Sequence, residues 1–228
     1  MGDLSPAQIQ QILVGVFILV VSVALHEFGH AWMAVRLGDD TPRRQGRVTL
    51  NPLAHADPIG TLLLPVVGGY YAASSGVAGG FGWGKPVEWQ PHKIRRGIRM
   101  STANILVSFA GPFMNLVLAT IVVGVHSVLV WKGVITLDSK ASLFLYQATA
   151  TNFILFFFNL LPLPPLDGGH IAGAFVPYRH RTQWDQIARF APFAILAVML
   201  IPQVAQVFRV PAMWCTKGLY GAFGVIPL

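Results

Sequence analysis

Two histidines and a glutamate fall within the stretch LHEFGH at positions 25–30, inside an otherwise apolar run, ILVGVFILVVSVALHEFGHAWMAV. His26 and His30 are four residues apart. On a helix they share a face one turn apart, which lets both imidazoles bind one zinc ion. Glu27 lies about 100° round the helix from His26, where it can serve a bound water without being a ligand. The ion lowers the pKa of that water and the glutamate takes its proton. An ionisable side chain inside an apolar span is costly and marks a functional site. Three of them at ligand spacing point to metal-assisted hydrolysis rather than to polar glue between helices.

A catalytic zinc needs a third protein ligand and an open position. The single Cys215 excludes both an intramolecular disulfide and a cysteine metal site. The chain has only nine Asp and Glu residues, which narrows the search. Asp3, Asp39, Asp40, Glu88, Asp138 and Asp185 lie in polar or terminal contexts, and Asp57 sits in a loop between Ala56 and Pro58. Asp167 follows an apolar span and a proline-broken stretch and precedes Gly168 and Gly169. Extended backbone there lets a short carboxylate project sideways, and glycines permit close approach. The other reading of Asp167 is a turn-forming Asp-Gly.

The elements that must position these residues are membrane elements. The chain is 54% hydrophobic and 11% charged, with a mean hydropathy of +0.59. Soluble domains carry about a quarter charged residues. A helix starts at Ser5-Pro6, a good N-cap and first position, and runs to Leu37, where Gly38-Asp39-Asp40 stops it. Residues 39–58 form a loop containing a short strand candidate, RVTL at 47–50. Residues 59–81 are apolar but broken by Pro65 and six glycines. Apolar segments follow at 101–131 and 141–161, the second ending in NLLPLPPLDGG, whose prolines and glycines take the chain out of helix. A last span is expected near 190–210. No cleaved signal peptide is expected, since no Lys or Arg precedes the first apolar run.

The net charge of +7 fits basic cytoplasmic loops better than a nucleic-acid partner. If 59–81 crosses the membrane, the 16 Lys and Arg residues divide evenly between the two sides; if it dips in and returns, they divide 12 against 4. The positive-inside rule favours the re-entrant alternative, and broken backbone at membrane depth is tolerated against protein or a water-filled cavity. The N-terminus is then outside. His30 lies about 10 Å from the helix end at Leu37, at 1.5 Å per residue. Asp167 is likewise near the cytoplasmic end of its span, so the metal hypothesis and the charge count favour one topology. The fold expected is an all-α polytopic membrane protein with four to five transmembrane helices and a short re-entrant or β element after the first span. It forms a single domain over 1–228, with a catalytic core at about 7–175 and an additional C-terminal span.

HEFGH in a first core span and NLLPLPPLDGG some 130 residues later resemble the site-2 protease family of intramembrane zinc metalloproteases. The family's second motif, N-x-x-P-x-P-x-L-D-G, is matched by Asn159, Pro162, Pro164, Leu166, Asp167 and Gly168. RVTLNPLAHADPIGTLLLP with FGWGKPV, and AGPFMNL at 110–116, resemble the family's short form without PDZ or CBS domain. The resemblance implies one Zn2+ per chain, held by His26, His30 and Asp167, with Glu27 as general base. It makes Asn159 a candidate for orienting substrate or stabilising an oxyanion; bonding proline-freed carbonyls is the alternative. It implies hydrolysis of peptide bonds in or near transmembrane segments at the plasma membrane, with the active site toward the cytoplasm. Membrane-tethered regulators such as anti-sigma factors, or signal-peptide remnants, are the substrate classes it brings.

Two other functions use the same residues: an inactive membrane scaffold, and a metal transporter, which ordinarily shows internal repeats absent from this chain. Asn115 reads as a packing residue, His55 as a loop-packing residue and His170 as a neighbour of the site; His92, His126 and His180 read as incidental. RVTL and the re-entrant element are expected to offer an edge to which an unwound substrate adds as a strand.

Overall fold

The computed structural model describes residues 4–75 and 82–225. Residues 76–81, the glycine-rich end of the expected re-entrant stretch, therefore lie outside the described residues. Every regular element described is helical, and the chain divides into two compact units, Met1–Arg95 and Arg96–Leu228.

The first unit is organised by α1, Pro6–Leu37. Ser5 Oγ accepts the Gln8 N–H while the Gln8 side chain accepts the Ser5 N–H, a reciprocal cap that satisfies two otherwise orphaned donors. At the other end Gly38 takes φ +113°, a left-handed cap that favours glycine. A Cβ there would also lie 2.6 Å from Arg95 Cγ, and Arg95 N–H donates to Leu37 O at 2.9 Å. A single turn, α2 (Thr41–Arg44), follows. Between them Asp39 is fully buried. One of its carboxylate oxygens accepts the Thr41 N–H at 2.9 Å, and the other accepts the Gln90 N–H. Burial pushes this carboxyl up, but the bonds from Thr41 and Gln90 and the Lys93 charge outweigh it and leave it below the ordinary value.

Residues 47–50, where a strand is expected, form a bend, and no strand occurs among the described residues. The reason is local. Arg47 turns inward and bonds the carbonyls of Ala54 and Pro86, and Thr49 O bonds the His55 ring. The Arg47 N–H donates to Pro42 O at 2.8 Å, so this N–H and Thr49 O, which a ladder would need, are both taken by loop closure. Pro58–Leu63 then winds as a wider helix capped by the Asp57 carboxylate and continues into α3, Leu64–Ser75, which packs on α1.

The second unit contains α4 (Met100–Trp131), α5 (Lys140–Asn159), α6 (Asp167–Ala174), α7 (Arg181–Leu200) and α8 (Pro202–Ala222). α4 packs on α5 and α6, α5 on α8, and α7 on α8. Fully buried Ala119 and Ala212 bring the backbones together around Phe153, as small residues do between membrane helices.

Among the described residues three helices, α1, α4 and α5, are long and apolar enough to cross a membrane. The span expected at 190–210 is not one helix. Ile201 is extended (φ −98°, ψ 106°), α7 ends before it and α8 begins at Pro202. Proline has no N–H to continue the ladder and pushes the residue before it out of the α region.

Candidate functional site

α1 carries the first half of the candidate metal centre. His26 is 8% exposed, and its Nε2 lies 3.1 Å from Nε2 of His30. The rings meet edge to face, 83° apart with centroids at 4.7 Å. Two nitrogen ligands on one tetrahedral zinc, at 2.0–2.1 Å each, lie about 3.3 Å from one another. The pair therefore fits the donor spacing such an ion requires, with both Nε2 atoms converging on one point.

Glu27 sits beside this pair on the same turn. Its Oε2 accepts the backbone N–H of Val87 at 3.1 Å. The partner comes from residues 82–90, which form no regular element and whose Gly82 and Gly84 lie against α1. FGWGKPV stands out in the sequence as family-like, but a bond sixty residues long from a backbone amide leaves no signature in residue types.

In the second unit, Asp167 is the first residue of α6 and half buried. Gly168 and Gly169 are both buried. A Cβ on Gly168 would stand 2.2 Å from Leu160 O, and one on Gly169 would stand 2.4 Å from Pro164 N. Only glycine lets the first turn of α6 fold back onto the chain leaving α5, and that close fold fixes where Asp167 begins its helix. Asn159 ends α5, and its Nδ2 donates to Leu155 O, one turn earlier, at 2.9 Å. That partner is a helix carbonyl rather than one of the carbonyls freed by the prolines.

The remaining polar candidates fall into place. Asn115, fully buried, donates to Asn152 Oδ1 at 2.9 Å and joins α4 to α5, as a packing residue should. His55 is buried with Nε2 2.9 Å from Thr49 O, inside its own loop. His170 is exposed and contributes its carbonyl to Asn104 Nδ2. His92 and His180 are exposed. His126 is not incidental: it is fully buried, with Nδ1 2.8 Å from Tyr220 Oη and Nε2 2.8 Å from Ser142 Oγ.

The family model described as Peptidase family M50 matches residues 14–141 and 124–202. Several relatives carry the name "Putative zinc metalloprotease". YwhC of Bacillus subtilis (strain 168) is 37% identical over 82% of this chain and 80% of its own length. Rip2 of Mycolicibacterium smegmatis is 35% identical over 82% of this chain and 68% of its own. Rip2 of Mycobacterium tuberculosis (strain H37Rv) is 32% identical over 82% and 67%. No solved structure matches the chain.

Proposed function

The chain belongs to peptidase family M50, and we propose from that premise that His26, His30 and Asp167 hold one zinc ion while Glu27 acts as general base. The reaction is hydrolysis of a peptide bond in or near a transmembrane segment of another protein. The observation that carries this reading is the His26–His30 pair, with its two Nε2 atoms 3.1 Å apart on a helix apolar enough to cross a membrane.

Zinc supplies Lewis-acid polarisation and lowers the pKa of water at neutral pH. Glu27 takes the proton of the attacking water and returns it to the leaving amine nitrogen. Asp167 supports the reading by its chemistry: a carboxylate together with two imidazoles is a donor set that a catalytic zinc takes. On this reading residues 1–228 are a single catalytic domain. Asn159 is kept as a candidate for orienting substrate.

The substrate is a membrane protein within the lipid bilayer, and its regulated release is the biological outcome; tethered regulators such as anti-sigma factors and signal-peptide remnants are the classes of choice. The site faces the cytoplasmic side of the plasma membrane, with Pro58–Ser75 entering as a re-entrant element; the clusters of basic residues that flank it, Arg36 to Arg47 and Lys85 to Arg99, fall on one side in that arrangement and support it. Purified protein with zinc is expected to cleave a model transmembrane substrate, and Glu27→Gln to lower the rate at least about 10²-fold with zinc content unchanged. Zinc flux into vesicles without cleavage would overturn the protease in favour of a transporter, and zinc retention with neither would leave a scaffold.

A further inference from the structure

The peptide group joining Pro86 to Val87 is bonded at both ends. Its N–H donates to Glu27 Oε2 at 3.1 Å, and its C=O accepts from Arg47 Nη2 at 3.2 Å. Arg47 is 7% exposed, and its other terminal nitrogen bonds Ala54 O. The guanidinium is thus a rigid fork between two carbonyls, held inside the protein and spanning two loops. RVTL stands out in the sequence, but no residue type in it marks Arg47 as buried where Arg43 and Arg44 are exposed.

The stretch on which this peptide sits is fixed independently of Glu27. Trp83 N–H donates to Gly60 O at 3.1 Å, Thr61 Oγ1 to Trp83 O at 2.7 Å, and Lys85 N–H to His55 O at 2.9 Å. Beyond it, Gln90 N–H is held by Asp39. The Val87 N–H is therefore presented at a set place, and the carboxylate comes to it. Gly84 completes the arrangement. A Cβ at this position would lie 2.5 Å from Val23 Cγ1, 3.2 Å from Glu27 Cγ and 3.3 Å from Glu27 Oε1. Glycine lets the stretch lie flat on α1 and keeps the space beside Oε1 open while Val87 fixes Oε2.

We propose that Arg47 is a positioning residue for the general base, acting through the Pro86–Val87 peptide: it orients that peptide plane, whose N–H holds one oxygen of Glu27 and leaves the other to carry the proton. A glutamate on a helix has several rotamers of similar energy, and proton transfer needs one of them. Holding it beforehand removes that search from the barrier. Aligned bonds through one peptide also polarise each other. The inference rests on Glu27 being the general base, and its test separates the two.

Arg47→Lys keeps the charge and loses the fork, and Val87→Pro removes the N–H. Both are expected to lower kcat about 10- to 100-fold, as small misplacements of catalytic groups do, with KM and zinc content near wild type. Val87→Ala, which keeps the N–H, recovers the rate. A purely structural Arg47 would lower the melting temperature and leave kcat alone, and that result overturns the proposal. Hydrogen exchange at the Val87 amide gives a reading that needs neither activity nor a folded proline variant. Exchange there is expected to quicken at least about tenfold in Glu27→Ala and in Arg47→Lys, while the Trp83 and Lys85 amides stay protected. Unchanged exchange at Val87 overturns the proposal even where Val87→Pro fails to fold. Val87 protection that depends on Glu27, in a protein that cleaves no transmembrane substrate, would retain the positioning geometry and discard the general-base reading.

Discussion

His126 ties three helices together through side chains alone. It lies on α4, reaches Ser142 on α5 and Tyr220 on α8, and Tyr220 Oη lies 3.2 Å from Thr149 Oγ1 on α5. All four side chains are buried away from water, so each depends on the others for its hydrogen bonds. His126→Phe is expected to cost about 1–3 kcal/mol, the penalty of leaving a buried hydroxyl unsatisfied, measured by denaturant unfolding in micelles. Asp39 makes a second prediction at this scale. Its folded pKa is depressed, so its stabilising contribution is complete above the unfolded pKa of about 4 and is lost as the pH falls through the depressed value. Wild type is therefore expected to lose its stability margin over Asp39→Asn progressively below pH about 4, with the margin intact at neutral pH; melting curves of the two proteins across pH 2–7 check this. A margin that persists at pH 2 would show that the carboxylate charge is not what stabilises this turn.

The elements differ in how far their purpose could be read in advance. HEFGH was legible because its geometry is local: four residues on a helix set the two imidazoles together, whatever the rest of the chain does. The strand expected at 47–50 failed because four alternating residues weigh little against the pull of one buried arginine for two carbonyls. The signal for the break at Ile201 lay in the sequence, in Pro202, but an apolar window laid over 190–210 passes across it. His126 looked incidental because its partner Tyr220 is 94 residues away. α6 offers the test proper to an element. Gly168→Ala places a methyl 2.2 Å from the Leu160 carbonyl oxygen, a contact the backbone must relieve by moving. Loss of zinc and of activity together is expected, at a cost of about 1–3 kcal/mol, as for overpacking elsewhere. Zinc titration of the purified variant measures it. Full zinc affinity would mean that the start of α6 does not set the position of Asp167.

At the scale of the molecule, the expected all-α architecture holds among the described residues, three of whose helices are able to span a membrane. The number of crossings is a question of sides, which single cysteines answer. In a background lacking Cys215, Asp40→Cys and Gln90→Cys are expected to label from the same, cytoplasmic face, and labelling from opposite faces would make Pro58–Ser75 part of a crossing segment. Removal of zinc by a membrane-permeant chelator is expected to abolish cleavage and to lower the melting temperature, because a ligand that binds only the folded state stabilises it; readdition restores both.

The polar contacts among α4, α5 and α8 also govern how this part of the protein meets membranes of different thickness. Helices that touch only through methyl groups can slip past each other by a turn, about 5.4 Å, with little penalty. Here such a slip would part Asn115 from Asn152 and His126 from both of its hydroxyl partners at once. The joint is keyed at two depths. A thinner or thicker bilayer is then met by the tilt of α4 and α5, the two spans of this group, as one body, with α8 carried along at a fixed register.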